Sequence, residues 1–430
     1  MKTFSVINLG CKVNAYECEA CAQQMEQIGY ARVPLGEKAD AVIVFTCAVT
    51  NEAARKSRQM IRRARKFCPD GIVAAIGCYT QIEPDGGEAA DLVLGTRHKS
   101  ELARFILEAE ETRKKRKDVS IPEKEVFEPL SIQRFEERTR AFLKIEDGCD
   151  QFCSYCVIPH ARGRERSMDP DAVLSEMKRI SEYHREIVLT GIHTGRYGKE
   201  YGLSLADLIR RILREVPKLE RLRLSSIEIS EIDDPLLDLM EESPRIARHL
   251  HIPLQSGSDK ILALMRRPYT KAEYLSRIEE IRRRIPGLSI STDLIVGFPG
   301  ESDTDFEETA EFLGTCRFSF LHVFPFSPRS GTMAASMSGQ IPADVKKERA
   351  KICLNLSEEL YDRYMDSLIG KERDVLIETH EDGRSRGRIS EYAEVCLPEL
   401  LKRGTMVKAE LLSRDHHMLY GERKANHETE

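Results

Sequence analysis

Phe142-Leu-Lys-Ile-Glu146 runs through Asp147-Gly148 into Cys149-Asp-Gln-Phe-Cys153-Ser-Tyr-Cys156. An apolar-rich strand followed at once by three thiols at C-x3-C-x2-C sets those thiols on one loop, able to converge on one centre. Thiolates in such runs hold iron–sulfur clusters. Structural zinc wants four closed ligands, and the fourth here would be distant or His160. Three ligands on a cubane cluster instead leave one iron open. Ordinary buried cysteines are the third reading.

Outward from this strand the βα alternation continues. Strands are expected at 142–146, 186–190, 221–225, 249–253, 289–296 and 318–324, with helices near 170–183, 204–215, 234–242, 271–284 and 303–314. Six units fall two short of a closed eightfold barrel, so residues 136–367 read as an incomplete (β/α)6 barrel ending in a long helix from Pro342. Upstream, strands at 4–9, 41–46, 72–76 and 92–94 alternate with helices at 14–28, 50–67 and 99–109. That pattern predicts a parallel α/β sheet over 1–110. Residues 111–135 are charged, aperiodic and read as a linker. Short strands at 372–379, 393–397, 405–412 and 418–420 predict a small all-β domain over 368–430.

The N-terminal sheet carries a second thiol set. Cys11, Cys47 and Cys78 each follow one of its first three strands, separated by 36 and 31 residues. Consecutive strands of a parallel sheet end on the same edge, where ligands bind, so three thiols unrelated in local sequence face one crevice. Cys18, Cys21, Cys68, Cys316, Cys353 and Cys396 lie on helices or in unpatterned positions and read as structural.

Composition narrows the class. The 430 residues are 41% hydrophobic and 32% charged, with net charge −5 and twelve cysteines. Such a chain is globular, not disordered, and its net charge gives no global argument for nucleic acid. Its apolar runs are far shorter than the roughly 20 residues of a membrane span. The N-terminus enters strand-like sequence without an apolar leader, so a cytoplasmic protein without a membrane partner is expected. Its cysteines then serve metal or catalysis rather than disulfides. Charge is nonetheless patchy: Arg55, Lys56, Arg58, Arg62, Arg63, Arg65 and Lys66 form a run without an acid, and Arg113-Lys-Lys-Arg-Lys117 is a second.

The cluster loop followed by Val157-Ile-Pro-His-Ala-Arg-Gly-Arg-Glu-Arg-Ser167 resembles the radical S-adenosylmethionine methylthiotransferases. Nearly the whole chain takes part, as an N-terminal methylthiotransferase domain, a radical barrel and a C-terminal TRAM domain. Gly10-Cys-Lys-Val-Asn-Ala-Tyr-Glu17 with Thr46-Cys-Ala-Val-Thr50 looks like the branch acting on threonylcarbamoyladenosine beside the anticodon of tRNA. Sibling branches act on isopentenyladenosine or on a ribosomal protein aspartate. A non-catalytic metal-containing RNA-binding protein is the reading from a different class.

The resemblance implies two 4Fe–4S clusters and S-adenosylmethionine. Cys149, Cys153 and Cys156 would hold the cluster that cleaves S-adenosylmethionine to a 5′-deoxyadenosyl radical. Cys11, Cys47 and Cys78 would hold an auxiliary cluster bearing the sulfur, which a second S-adenosylmethionine methylates. Tyr155, Thr190, Gly191, Gln255, Ser256 and Asp293 would contact the cofactor. Arg162 and Arg164 would meet the anticodon stem-loop, with one of them reading the threonylcarbamoyl carboxylate, and Arg58 and Arg62 would contact phosphates. Arg384, Arg386 and Arg388 form a local basic patch in the last domain. An electron donor and a sulfur donor complete the expected partners.

Overall fold

The structure, a computed structural model, describes residues 1–121 and 126–424. The remainder of the expected linker and the last six residues of the terminal domain lie outside the described residues.

The N-terminal unit is a parallel sheet of β1 (Thr3–Asn8), β2 (Ala31–Arg32), β3 (Ala41–Thr46), β4 (Ile72–Gly77), β5 (Leu92–Leu94) and β6 (Arg116–Asp118), in the order β2-β1-β3-β4-β5-β6. β3 and β4 are buried along their whole length, as parallel strands covered on both faces must be. Their side chains alternate between two cores. Ile43, Phe45, Ala74 and Ile76 meet α1 (Lys12–Gln27) and, beyond it, α4 (Leu102–Thr112). Val42, Val44, Val73 and Ala75 meet α2 (Asn51–Phe67) and α3 (Cys78–Ile82). Thr50 caps α2, its hydroxyl accepting from the Ala53 amide at 3.1 Å.

Two features correct the expected linker. Residues 116–118 add the sixth strand, and Leu130, Ile132 and Phe135 are buried in the barrel core. The Arg113–Lys117 run is therefore no free arm: Arg113 donates to the Asp70 carbonyl, Lys115 to the Glu88 carbonyl, and Lys117 pairs with Asp85.

The second unit begins with β7 (Ala141–Lys144) and the short hairpin β8 (Glu146–Asp147) and β9 (Arg166–Ser167), which embrace the cysteine loop and α5 (Ile158–Arg162). Then follow α6 (Pro170–Ser181), β10 (Glu186–Thr190), α7 (Leu205–Glu215), β11 (Arg221–Leu224), α8 (Asp234–Glu242), β12 (His249–His251), α9 (Asp259–Leu264), α10 (Lys271–Arg284), β13 (Ser289–Val296), α11 (Asp303–Cys316), β14 (Phe320–Pro325), α12 (Met333–Ser336) and α13 (Ala343–Asp366). Two three-stranded parallel sheets, β7-β10-β11 and β12-β13-β14, are joined by bridges at Leu222–Ile246 and Ser226–His251. The six strands therefore make one open barrel.

β15 (Glu372–Glu381), β16 (Arg384–Arg388), β17 (Glu394–Leu397), β18 (Met406–Asp415) and β19 (Met418–Arg423) close into a small barrel, as the TRAM resemblance implied. β16 is absent from the sequence expectation because its inward residues are Ser385 and Gly387, small rather than apolar. A Cβ on Gly387 would stand 2.2 Å from the Leu376 carbonyl oxygen. The small barrel docks through buried arginines: Arg223 donates to the Ile389 and Ser390 carbonyls, Arg221 to those of Asp374 and Arg388, and Arg140 pairs with Glu378.

Gly77, at the end of β4, has φ +126°, and a Cβ there would meet the Thr46 carbonyl oxygen at 2.7 Å. Gly77→Ala should therefore cost about 1–3 kcal/mol, read from the denaturation midpoint, by forcing apart the strand ends that carry Cys47 and Cys78.

Candidate functional site

Cys149, Cys153 and Cys156 lie on the loop between β8 and α5, each partly exposed. The loop is tied to the barrel at both faces. The Ser154 amide and hydroxyl donate to the Met265 and Leu264 carbonyls, and the Ser154 carbonyl accepts from Ala334. Phe152 takes the left-handed conformation at φ +46°, which turns the chain sharply between the first two thiols. Two cations that local sequence did not mark stand against them. The Arg267 guanidinium is 3.4 Å from Cys153 Sγ and pairs with Glu228. His193 Nδ1 is 3.5 Å from Cys149 Sγ, and the imidazole also meets Glu165 and Glu231. Burial opposes its protonation, but the contacts with Cys149, Glu165 and Glu231 outweigh it and push its pKa up to about 12.

Cys11, Cys47 and Cys78 stand at the C-terminal ends of β1, β3 and β4, neighbours in the sheet. Each is close enough to feel the others electrostatically. The Ser57 hydroxyl bridges the Cys47 amide and carbonyl at 3.1 and 3.2 Å. Asn14 donates to the Thr46 carbonyl at 3.0 Å and packs so tightly on Gly10 that a Cβ there would fall 2.0 Å from it. Burial pushes the Cys47 thiol up to about 11 and the Cys156 thiol up to about 12. Both groups become thiolates only with a cationic partner, which is how metals and clusters displace protons from cysteine.

Between the two sets lies a buried ion network. Arg162 gives Nη1 to Glu17 (2.9 Å) and Asp147 (3.0 Å), Nη2 to Asn14 (3.0 Å) and Glu17 (3.1 Å), and Nε to Cys78 Sγ (3.4 Å). Lys144 joins Glu17 and Asp147 at 2.8 and 3.2 Å, Lys99 reaches Glu17 at 3.5 Å, and Arg166 reaches Asp147 at 3.0 Å. Burial pushes the Glu17 carboxyl upward, but Arg162, Lys144 and Lys99 outweigh it and hold it ionised. This corrects one expectation. Arg162 has no solvent exposure and is taken up by protein carboxylates, so it cannot meet RNA.

Other expected RNA contacts fare unevenly. Arg164 is exposed, pairs with Asp150 and lies over the Phe152 ring. On α2, acids from outside the basic run neutralise much of it: Glu52 pairs with Arg55, Glu83 with Arg58 and Asp91 with Arg65. Arg62 stays exposed on the outer face. In the last domain Arg386 pairs with Glu381, and Arg388 with Glu378 and Glu394.

Two adjoining cavities occupy the middle of the molecule. One of about 220 Å³ is walled by Tyr155, Cys156, Gln255, Asp293 and Phe324 from the barrel and by Val49 and Thr50 just after Cys47. It brings together three of the expected cofactor residues. Gln255 adopts φ +73° there, the kind of backbone outlier that gathers at functional sites. Ser256 is not among them: its hydroxyl is buried against Thr309 and the Ser258 amide, which corrects that expectation. Thr190 ends β10 and Gly191 follows it, beside Glu146, whose Oε1 is buried without a partner and whose pKa burial raises to about 8. A Cβ on Gly191 would meet Glu146 Oε2 at 2.6 Å. The second cavity, about 570 Å³, shares Asp293 and Phe324 and opens between β12–β14, the terminal barrel and Lys12.

Each set supplies three free thiols, the donor type that holds iron–sulfur clusters. The unpaired Glu146 oxygen fits a cationic amine such as an amino acid carries.

Residues 143–313 match the Radical SAM superfamily and residues 3–95 the Uncharacterized protein family UPF0004. The chain is 40% identical to the threonylcarbamoyladenosine tRNA methylthiotransferase MtaB of Bacillus subtilis, over 92% of this chain and 90% of that one. It is 35% identical to a tRNA-2-methylthio-N(6)-dimethylallyladenosine synthase of Moorella thermoacetica, over 88% and 87%. In fold it resembles the radical S-adenosylmethionine methyltransferase TsrM of Kitasatospora setae, with TM-score 0.57 and 14% identity over 78% of this chain and 74% of that one.

Removing one member of a buried charge network strands the others. Glu17→Ala should lower stability by about 3–5 kcal/mol, measured by denaturant unfolding, and Glu17→Ala with Arg162→Met should lose less than the two separate losses added together.

Proposed function

Because the chain belongs to the radical S-adenosylmethionine methylthiotransferases, with which it aligns over most of its length, we propose that it methylthiolates C2 of threonylcarbamoyladenosine beside the tRNA anticodon. The coarser reading is plain: it is a tRNA-modifying transferase that uses 4Fe–4S clusters and S-adenosylmethionine. When bound, these cofactors supply the one-electron chemistry, sulfur and methyl group that side chains lack. The reductant and the sulfur donor come from outside the chain. None of the described helices is long and apolar enough to cross a membrane.

The observation that carries the mechanism is one cavity walled by both thiol-bearing loops, Tyr155–Cys156 on one side and Val49–Thr50 on the other. Cys149, Cys153 and Cys156 would hold the cluster that receives S-adenosylmethionine, and Cys11, Cys47 and Cys78 the auxiliary cluster. Arg267 and His193 place positive charge against Cys153 and Cys149 and orient those thiolates. Glu146, beside Thr190 and Gly191, suits the methionine ammonium, while Gln255 and Asp293 suit the nucleoside. Arg162 fixes the separation of the two loops from below and donates to Cys78. Arg58, Arg62 and Arg164 would track the anticodon arm. The nucleoside assignment rests on the Gly10–Glu17 motif and on the higher identity to the threonylcarbamoyladenosine enzyme. The 35% identity to a dimethylallyladenosine enzyme keeps isopentenyladenosine as the second reading.

Replacing Cys11, Cys47 and Cys78 together with Ala should spare formation of 5′-deoxyadenosine and abolish methylthiolated tRNA, both followed by mass spectrometry. Persistence of methylthiolated product would make these core cysteines only. Given two purified tRNAs, one with threonylcarbamoyladenosine and one with isopentenyladenosine, the enzyme should convert the first; preference for the second would reverse the nucleoside assignment.

A further inference from the structure

The larger cavity is lined by three side chains with a polar group left unmatched: Lys12, His249 and Glu391, whose Oε1 pairs with Arg373 while its Oε2 has no partner. Lys12, next to Cys11, lines it, and among the described residues no hydrogen bond or carboxylate partner engages its amine. The surrounding arginines are all engaged: Arg140 with Glu378 at 2.6 Å, Arg223 with Glu186 at 2.7 Å and Arg388 with Glu394 at 3.0 Å; His251 Nε2 lies 3.2 Å from Asp293. His249, only 8% exposed, has its Nε2 3.0 Å from the Ser291 hydroxyl and stacks on Tyr392 at 5.0 Å. Its Nδ1 is buried with no partner. An unpaired amine, an orphaned imidazole nitrogen and an orphaned carboxylate oxygen in one cavity describe a site for an anion that also carries hydroxyl or amide donors.

We propose that this cavity receives the threonylcarbamoyl side chain of the tRNA adenosine, with Lys12 pairing its carboxylate and His249 Nδ1 its polar body. The inference rests on the nucleoside reading above and deepens it. Two features of position support it. Through Asp293 and Phe324 the cavity adjoins the smaller one beside Cys156, so a purine at the junction would keep C2 near both thiol sets while its N6 substituent extends toward Lys12. A volume of about 570 Å³ also lies within the usual range for small-molecule sites. An isopentenyl group has neither charge nor hydrogen-bonding atoms and would leave Lys12 and His249 unpaired, which is the kind of mismatch that gives strong discrimination. Lys12 thus takes the role that the sequence assigned to Arg162 or Arg164.

The test uses the holoenzyme and three anticodon stem-loops identical except at the modified adenosine: threonylcarbamoyl, its neutral carboxamide analogue, and isopentenyl. Binding is read by fluorescence anisotropy at one fixed salt concentration, with iron content checked for every variant. The wild type should bind the free acid on the order of 10-fold or more tighter than the carboxamide, the worth of a charged hydrogen bond. Lys12→Met should erase that preference and Lys12→Arg retain part of it. His249→Phe, remote in sequence from the cysteines, should weaken both threonylcarbamoyl RNAs and leave the isopentenyl RNA unchanged. If Lys12→Met loses iron, the wild-type acid-to-amide ratio and His249→Phe decide. Equal wild-type binding of acid and amide, a preference that survives Lys12→Met with full iron, or no effect of His249→Phe would each overturn the assignment of this cavity while leaving the nucleoside reading intact. Tighter binding of the isopentenyl loop would overturn both.

Discussion

The Arg162 guanidinium, sealed between Glu17 of the first domain and Asp147 of the second, is the contact on which the arrangement depends. Two carboxylates and at least three cations have left water together here. Each ion alone would be costly to bury, and only mutual pairing with good geometry offsets that cost. Such a network tolerates little displacement, so it holds the two domains at one separation. Arg166 joins it through Asp147, and the buried Arg97 donates to the Arg162 carbonyl.

The consequence appears one layer above. With the domains held, the loop after Cys47 and the loop through Cys156 close on the same small cavity, though more than a hundred residues separate them. Positioning of that kind accounts for much of what a protein contributes to cofactor chemistry. The terminal barrel finishes the enclosure. Its docking on buried Arg221 and Arg223 brings Tyr392 and Arg388 to the larger cavity, so the terminal barrel supplies one wall of it.

Much of this was legible in the amino-acid order. The strands of both sheets and most helices follow from apolar period and caps, which are local properties: β13 and the helices at 234–242 and 271–284 lie where periodicity places them. Cys149, Cys153 and Cys156 were legible from their spacing on one loop, and Cys11, Cys47 and Cys78 because a parallel sheet must present successive strand ends on one edge. What escaped was local sequence without an apolar signal. β16 hides because Ser385 and Gly387 face inward, and β6 hides in a basic run that an existing strand edge recruits.

The charged residues mark the boundary most clearly. The sequence by itself determined that arginines crowd the cluster loop and that a lysine follows Cys11; it contained no means of telling which would meet carboxylates. Tertiary structure made that choice. Glu17, 145 residues from Arg162, folds against it and removes it from any RNA surface, while no acid reaches Lys12 among the described residues. A side chain's charge is written in its chemistry, but whether that charge is satisfied within the protein or left to bind something else depends on partners distant along the chain, and only the folded packing brings them together.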